Sequence, residues 1–111
     1  MNTNLVRLID KSGAVIATAQ IVDEGAQYGG TIDLNSTPPA LRALFDEFEE
    51  VVNDQMLSFL DDIQRKIGSF GIKAVFHDGL EADVKELQVF PATGDVSFQL
   101  VGAPTHAVKS A

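Results

Sequence analysis

The feature that most constrains this chain is a run of apolar residues at helical spacing between positions 40 and 67. The run repeats every three or four residues, as one face of an amphipathic helix does, and it comprises Leu41, Leu44, Phe45, Phe48, Val51, Val52, Met56, Phe59, Leu60, Ile63 and Ile67. One continuous helix of roughly 28 residues would be about 42 Å long, more than twice the usual length in a globular protein. The sequence therefore predicts a single long amphipathic helix.

Both ends of this predicted helix carry boundary residues. Ser36 and Thr37 can cap free backbone amides, and a proline such as Pro39 is tolerated in the first turn. Arg65 falls in the last turn, where a cation is favourable against the helix dipole, and Gly68 is a natural stop.

The segments on either side of the helix have the composition of β-strands. Residues 5–9 and 14–22 flank a short polar turn that ends in glycine, which predicts a hairpin, and residues 31–34 predict a short third strand. Residues 71–76, 80–90 and 96–101 predict strands after the helix, separated by the turn sequences HDG and ATGD.

The second of these later strands changes its alternation part-way. Ala82 and Val84 alternate on one parity, and Leu87 and Val89 alternate on the other. A strand cannot change parity without an extra residue, so we expect a β-bulge near residues 85–86.

These elements predict an α+β fold: an antiparallel sheet of five to six strands, with the long helix packed across one face. The expected organisation is one domain over residues 1–101, followed by a flexible C-terminal tail over residues 102–111. Because the helix is longer than a typical strand, either the sheet curves around it or a second chain covers part of its apolar face. We favour the second possibility, which predicts a homodimer.

Charge and composition narrow the function classes. The 111 residues include 16 acidic and 8 basic ones, for a formal net charge of −8, and no cysteine. A field of this sign opposes nucleic-acid binding and is compatible with a basic protein partner, a cation or a neutral ligand. The absence of cysteine excludes disulfides and thiolate chemistry, and no apolar run is long enough for a membrane helix. The sequence predicts a cytoplasmic protein.

Several carboxylates lie on the helix face opposite the apolar residues. Four of them are candidates for binding a basic partner: Glu47, Glu50, Asp54 and Asp61. Glu47, Glu50 and Asp54 also have a spacing that could share a divalent cation, but the remaining oxygen ligands are missing from the sequence pattern. We therefore expect a solvated acidic face and neither a metal nor another cofactor.

A few polar residues do not fit that solvated face and are candidates for ligand binding. Gln55 and Asp62 lie along the edge of the apolar stripe, and Lys66 can pair with Asp62 one turn away. His77 lies near carboxylates, although HDG is first of all a turn sequence. Glu49 lies on the other edge of the apolar stripe. Like Gln55 and Asp62, it has two interpretations: a functional group, or a residue at the rim of the sheet that pairs with lysine or backbone.

Two functions from different classes remain. The first is a protein–protein interaction or homo-oligomerising module without a catalytic signature; no residue is assigned a catalytic role. The alternative is a small-ligand-binding protein or enzyme with a pocket between helix and sheet, using Gln55, Asp62, Lys66 and His77.

Overall fold

The computed structural model describes residues 3–25 and 27–101, and six antiparallel strands dominate it. The predicted tail, residues 102–111, lies outside the described residues. In chain order the elements are β1 (Asn4–Ile9), β2 (Val15–Asp23), β3 (Tyr28–Asp33), α1 (Pro39–Asn53), a 3₁₀ turn (Leu57–Phe59), α2 (Leu60–Gly68), β4 (Lys73–Phe76), β5 (Glu81–Phe90) and β6 (Asp95–Val101).

The six strands close into a barrel in the order β1-β2-β3-β6-β5-β4. The barrel consists of two three-stranded meanders, β1–β3 and β4–β6, joined by the helices. Two seams connect the meanders: β1 pairs with β4 from Val6–Phe76 to Ile9–Lys73, and β3 pairs with β6 from Tyr28–Phe98 to Thr31–Asp95. The predicted first hairpin is confirmed by the β1–β2 pairing.

The predicted fold class is wrong, because the sheet is closed and no long helix among the described residues lies across a face of it. Strand alternation reports which side chains are buried, but a barrel interior and one covered face of an open sheet bury the same alternate residues. Closure depends on the two seams, each of which joins strands far apart in the sequence. The local pattern carries no information on such pairings.

The barrel interior is a packed apolar core. Five of the strands (β1, β2, β4, β5 and β6) supply its buried side chains, which include Val6, Leu8, Ala17, Ala19, Ile21, Ala74, Leu87, Val89, Val96, Phe98 and Leu100. No polar or charged residue is buried in the described part of the chain.

The predicted bulge in β5 is confirmed. The register between β5 and β6 shifts between Lys85 and Gln88, and Glu86 adopts a left-handed backbone conformation with φ 55°. The extra residue brings Val84 and Leu87 to the same side of the strand, which is the parity change that the sequence shows.

The predicted continuous helix is also wrong, because the chain breaks into α1 and α2. Gln55 has φ 59°, its amide donates to the Val52 carbonyl at 3.1 Å, and the Met56 amide donates to Val51 at 2.9 Å. This pair of bonds is a Schellman motif, which ends α1, with glutamine at the position that usually holds glycine. The break lets both apolar faces fold onto one core, which buries Leu41, Phe45, Phe48, Val51, Ile63 and Ile67.

Three contacts tie the helical segment to one end of the barrel. The ring of Phe48 lies 5.7 Å from that of Phe90, and the Ala92 amide donates to the Glu49 carboxylate at 3.3 Å. Glu49 is thus a rim residue bonded to backbone. The Thr37 hydroxyl donates to the Ile16 carbonyl at 2.6 Å and does not cap α1, whose N-cap residue is Pro38, so the predicted side-chain cap is wrong.

Aromatic rings fill the barrel at its other end. The Tyr28 ring lies 5.8 Å from Phe98 and 6.1 Å from Phe76, at the start of β3 and the end of β4. Burial raises the pKa of the Tyr28 phenol, and the Asp23 carboxylate raises it further.

Replacing Gln55 by glycine is expected to stabilise the protein by about 1 kcal/mol, because a left-handed conformation costs a residue with a Cβ roughly 1–2 kcal/mol and costs glycine almost nothing. The greater freedom of glycine in the unfolded chain offsets part of this gain. Urea denaturation would show the change as a higher midpoint at unchanged slope. A lower midpoint would mean that the Gln55 side chain makes a stabilising contact that outweighs its backbone strain.

Candidate functional site

The segment between the two helices, residues 54–59, forms an elbow that exposes large apolar side chains. Met56, Leu57 and Phe59 are exposed to 40%, 59% and 55%. Met56 and Phe59 belong to the apolar face that the sequence predicts for one long helix. They are exposed because the chain turns at Gln55, so their side chains leave the face that α1 and α2 bury.

A groove of about 260 Å³ runs beside the elbow, between α1 and α2. We call it the elbow groove, and it is lined by Glu47, Glu50, Val51, Met56, Phe59, Asp62 and Ile63. Its floor is apolar, with Val51 and Ile63 buried at the base. Its rim is formed by three carboxylates. The combination of an apolar floor and an acidic rim is the site's main chemical character.

The charge of the helical segment is strongly unbalanced. Residues 39–68 hold seven acidic and three basic side chains, a net charge of −4 and half of the chain's −8. Every one of the three cations is already paired: Arg42 with Asp46 at 3.3 Å, and both Arg65 and Lys66 with Asp62 at 2.9 Å and 3.3 Å. The remaining carboxylates therefore set the local field.

The four carboxylates predicted to bind a partner divide into two pairs. Glu47 and Glu50 line the elbow groove. Asp54 ends α1, with its amide bonded to the Glu50 carbonyl at 2.9 Å, and Asp61 lies in the first turn of α2. All four are exposed, and none forms an ion pair within residues 3–25 and 27–101. The helix break means that they no longer share one helix face.

The four residues predicted to bind a small ligand do not come together. The predicted ion pair between Asp62 and Lys66 is confirmed, and Asp62 also lines the elbow groove. Gln55 is exposed at the turn of the elbow, where its backbone conformation ends α1. His77 is exposed in the turn after β4, whereas α2 leads into the opposite end of that strand.

Sequence reasoning missed Leu57 and the exposure of its neighbours. The helical spacing runs through the elbow without interruption, so it predicts burial for Met56 and Phe59. One weak sign of a break is present: Asn53 and Asp54 are adjacent poor helix formers in the middle of the run.

A second, smaller groove of about 120 Å³ lies between α2 and the β5 bulge, with Gln64, Lys85 and Glu86 as its polar lining. No group of three or more His, Asp or Glu side chains in the described ranges could hold a metal ion. Neither helix in the described part of the chain combines the length and apolar character needed to cross a bilayer.

Comparison of the chain with protein-family models, with curated proteins and with solved structures gives no match in any of the three.

Proposed function

We propose that this protein is a non-catalytic interaction module that binds a positively charged, amphipathic segment of a partner protein in the elbow groove. The observation that carries the proposal is the exposure of Met56 and Phe59 in the elbow groove, beside Glu47 and Glu50, which pair with no cation of the helical segment. Leu57, between them in the chain, is exposed as well. A cytoplasmic location remains a prediction from the sequence.

The apolar part of the groove supports a binding role. Single exposed apolar residues are ordinary, but a contiguous group rimmed by polar residues is typical of an interaction surface. Full burial of a methionine or phenylalanine side chain is worth roughly 1.5–3 kcal/mol. Met56 and Phe59 are 40% and 55% exposed, so covering each would contribute about half of that. The two groove side chains would therefore supply part of the affinity of a complex, with charge attraction at the rim adding to it.

The charge of the groove rim favours a basic partner over a second copy of this chain docked through its own elbow. Two copies docked symmetrically at their elbows would bring Glu47 and Glu50 of one chain near the same residues of the other. Like charges placed across an interface are unfavourable, whereas Lys and Arg on a partner would be attracted and oriented. The predicted basic partner therefore suits this bent form of the chain better than a homodimer does.

The barrel walls support helix-type docking over strand addition. Each of the six described strands already has two hydrogen-bonded neighbours, so these strands present no free edge to an incoming strand. A groove between two helices is suited to an amphipathic helix, which would place its apolar face on the groove floor. The alternative of a small-ligand pocket has less support, because the groove between α2 and the β5 bulge has only about 120 Å³ and none of the four residues predicted to bind a ligand lines it.

The apolar contribution is tested with a fluorescein-labelled peptide of about four helical turns, with leucine at helical spacing and lysine elsewhere. In fluorescence polarisation we expect Phe59→Ala to weaken binding of this peptide roughly tenfold. Leu5→Ala is the matched control, because Leu5 on the barrel wall is equally exposed, at 56%. Equal weakening by both variants, or binding of a scrambled peptide as tight as that of the helical one, would refute the proposed site.

The charge contribution is tested with a matched pair of double variants. Glu47→Gln/Glu50→Gln is expected to weaken peptide binding about threefold to tenfold at low salt, and less at high salt. Glu81→Gln/Asp83→Asn removes the same net charge from β5 on the barrel wall and should leave affinity nearly unchanged. If the two double variants behave alike, attraction comes from the net charge of the chain and not from the groove rim.

A further inference from the structure

We infer that this chain has a second folded state: a dimer in which the elbow straightens into one continuous helix and two copies exchange residues 60–101. The occupant of the elbow region is then a second copy of this chain. The inference rests on the helix pattern and the strand pairing, and it stands independently of partner binding in the elbow groove.

The helix pattern continues across the break. In a continuous helix, successive residues are about 100° apart, which puts Met56 and Phe59 on the same face as Phe45 and Ile63. No glycine or proline occurs between residues 40 and 67, so the sequence does not prevent a straight helix. Straightening would return two exposed apolar side chains to a face that can be buried.

The elbow itself is a strained hinge. Gln55 holds φ 59° although it has a Cβ, and the connection between α1 and α2 is only a few residues long. Short hinge connections under strain favour domain exchange, because opening the hinge relieves the strain.

The contacts between the part of the chain before residue 60 and residues 60–101 can form in the same way between two chains. The halves meet in the β1–β4 and β3–β6 seams, of four register pairs each, and where α1 packs on α2 and β5. In an exchanged dimer, each seam would form between β1 or β3 of one copy and β4 or β6 of the other. The dimer would therefore keep the contacts of two separate barrels and lose only the two elbows.

Charge does not oppose this dimer. In a straight helix, Glu47, Glu50, Asp54 and Asp61 lie on the face opposite the apolar stripe, so they point away from a helix packed along that stripe. Exchange would also cover Met56 and Phe59. The dimer and the complex with a basic peptide would then be mutually exclusive.

The first test compares hinge variants of the full chain, refolded from denaturant at high protein concentration and analysed by native mass spectrometry. We expect the wild type to yield a dimer, and Gln55→Gly to lower its association constant by at least about tenfold, because glycine relieves the strain in both elbows and weakens both straight helices. Glu86→Gly is the control: it relieves a similar left-handed residue in the β5 bulge, which both states contain, so the association constant should not change. The inference would be overturned if the chain stays monomeric, or if Gln55→Gly leaves the association constant of the dimer unchanged.

The second test distinguishes exchange from simple association. The chain has no cysteine, so a Thr31→Cys/Asp95→Cys variant carries one thiol pair across the β3–β6 seam. Paired strand residues lie about 4.5–5.5 Å apart at Cα, which a disulfide can span. After mild oxidation, an exchanged dimer gives a covalent dimer on a non-reducing gel, and the monomer gives an internal disulfide. A dimer fraction that runs as monomer after oxidation would show that no strands are exchanged.

Discussion

Phe45→Ala is expected to lower the free energy of unfolding by about 3–5 kcal/mol, whereas Phe59→Ala is expected to lower it by less than about 0.5 kcal/mol. Phe45 is 1% exposed in the core, and Phe59 is 55% exposed at the elbow. Truncating the buried ring removes its transfer free energy and leaves a cavity, while truncating the exposed ring does neither. A domain of this size is typically stable by about 5–15 kcal/mol, so the first variant should have lost a large part of its stability.

The two variants distinguish the bent elbow of the structure from the continuous helix that the sequence pattern predicts. Both phenylalanines lie on the apolar face predicted for one continuous helix, and on that prediction both substitutions would be costly. Urea denaturation followed by circular dichroism gives the two free energies directly. Similar large losses for both variants would mean that Phe59 is buried in solution, in a straight helix or against another chain, and that the bent elbow is not the main state.

Gly30→Ala is expected to destabilise the barrel by about 3 kcal/mol. A Cβ at this position would overlap the Gln20 carbonyl oxygen and lie 2.9 Å from the Ile21 Cα, both of them backbone atoms of β2. The backbone of one strand cannot move away from the other without disturbing the β2–β3 pairing, so the strain has no inexpensive release. A melting temperature roughly 10–20 °C below that of the wild type is expected.

Gly29→Ala is the matched control for this second prediction. Gly29 is the preceding residue of β3, and a Cβ there would meet the side chain of Glu24, which is exposed and can rotate away. We expect its stability to stay within about 0.5 kcal/mol of the wild type. Equal losses at Gly29 and Gly30 would indicate a general sensitivity of β3 to substitution and not a close approach of two backbones.

Part of the candidate site could be predicted from local spacing. The pairing of Lys66 with Asp62 follows from their positions one helical turn apart, and it forms as predicted. The exposure of Phe59 could not be predicted in this way, because spacing describes a face of a helix and does not say whether the helix continues. The separation of His77 from Gln55 and Asp62 likewise depends on how the helices and β4 are arranged in space.

The sequence by itself determined the local elements: the strands on both sides of the helical run, the first hairpin, the bulge in β5 and the end of the helical segment at Gly68. Each of these follows from the periodicity and turn residues of a short stretch, because side-chain burial repeats with the local backbone geometry. Only the tertiary structure decided that the sheet closes and that the helix bends. Closure requires β1 to meet β4 and β3 to meet β6, and the elbow forms because Ile63 and Ile67 then share one core with Phe45 and Phe48. Both outcomes depend on burial shared between residues distant in the chain, which no local pattern records.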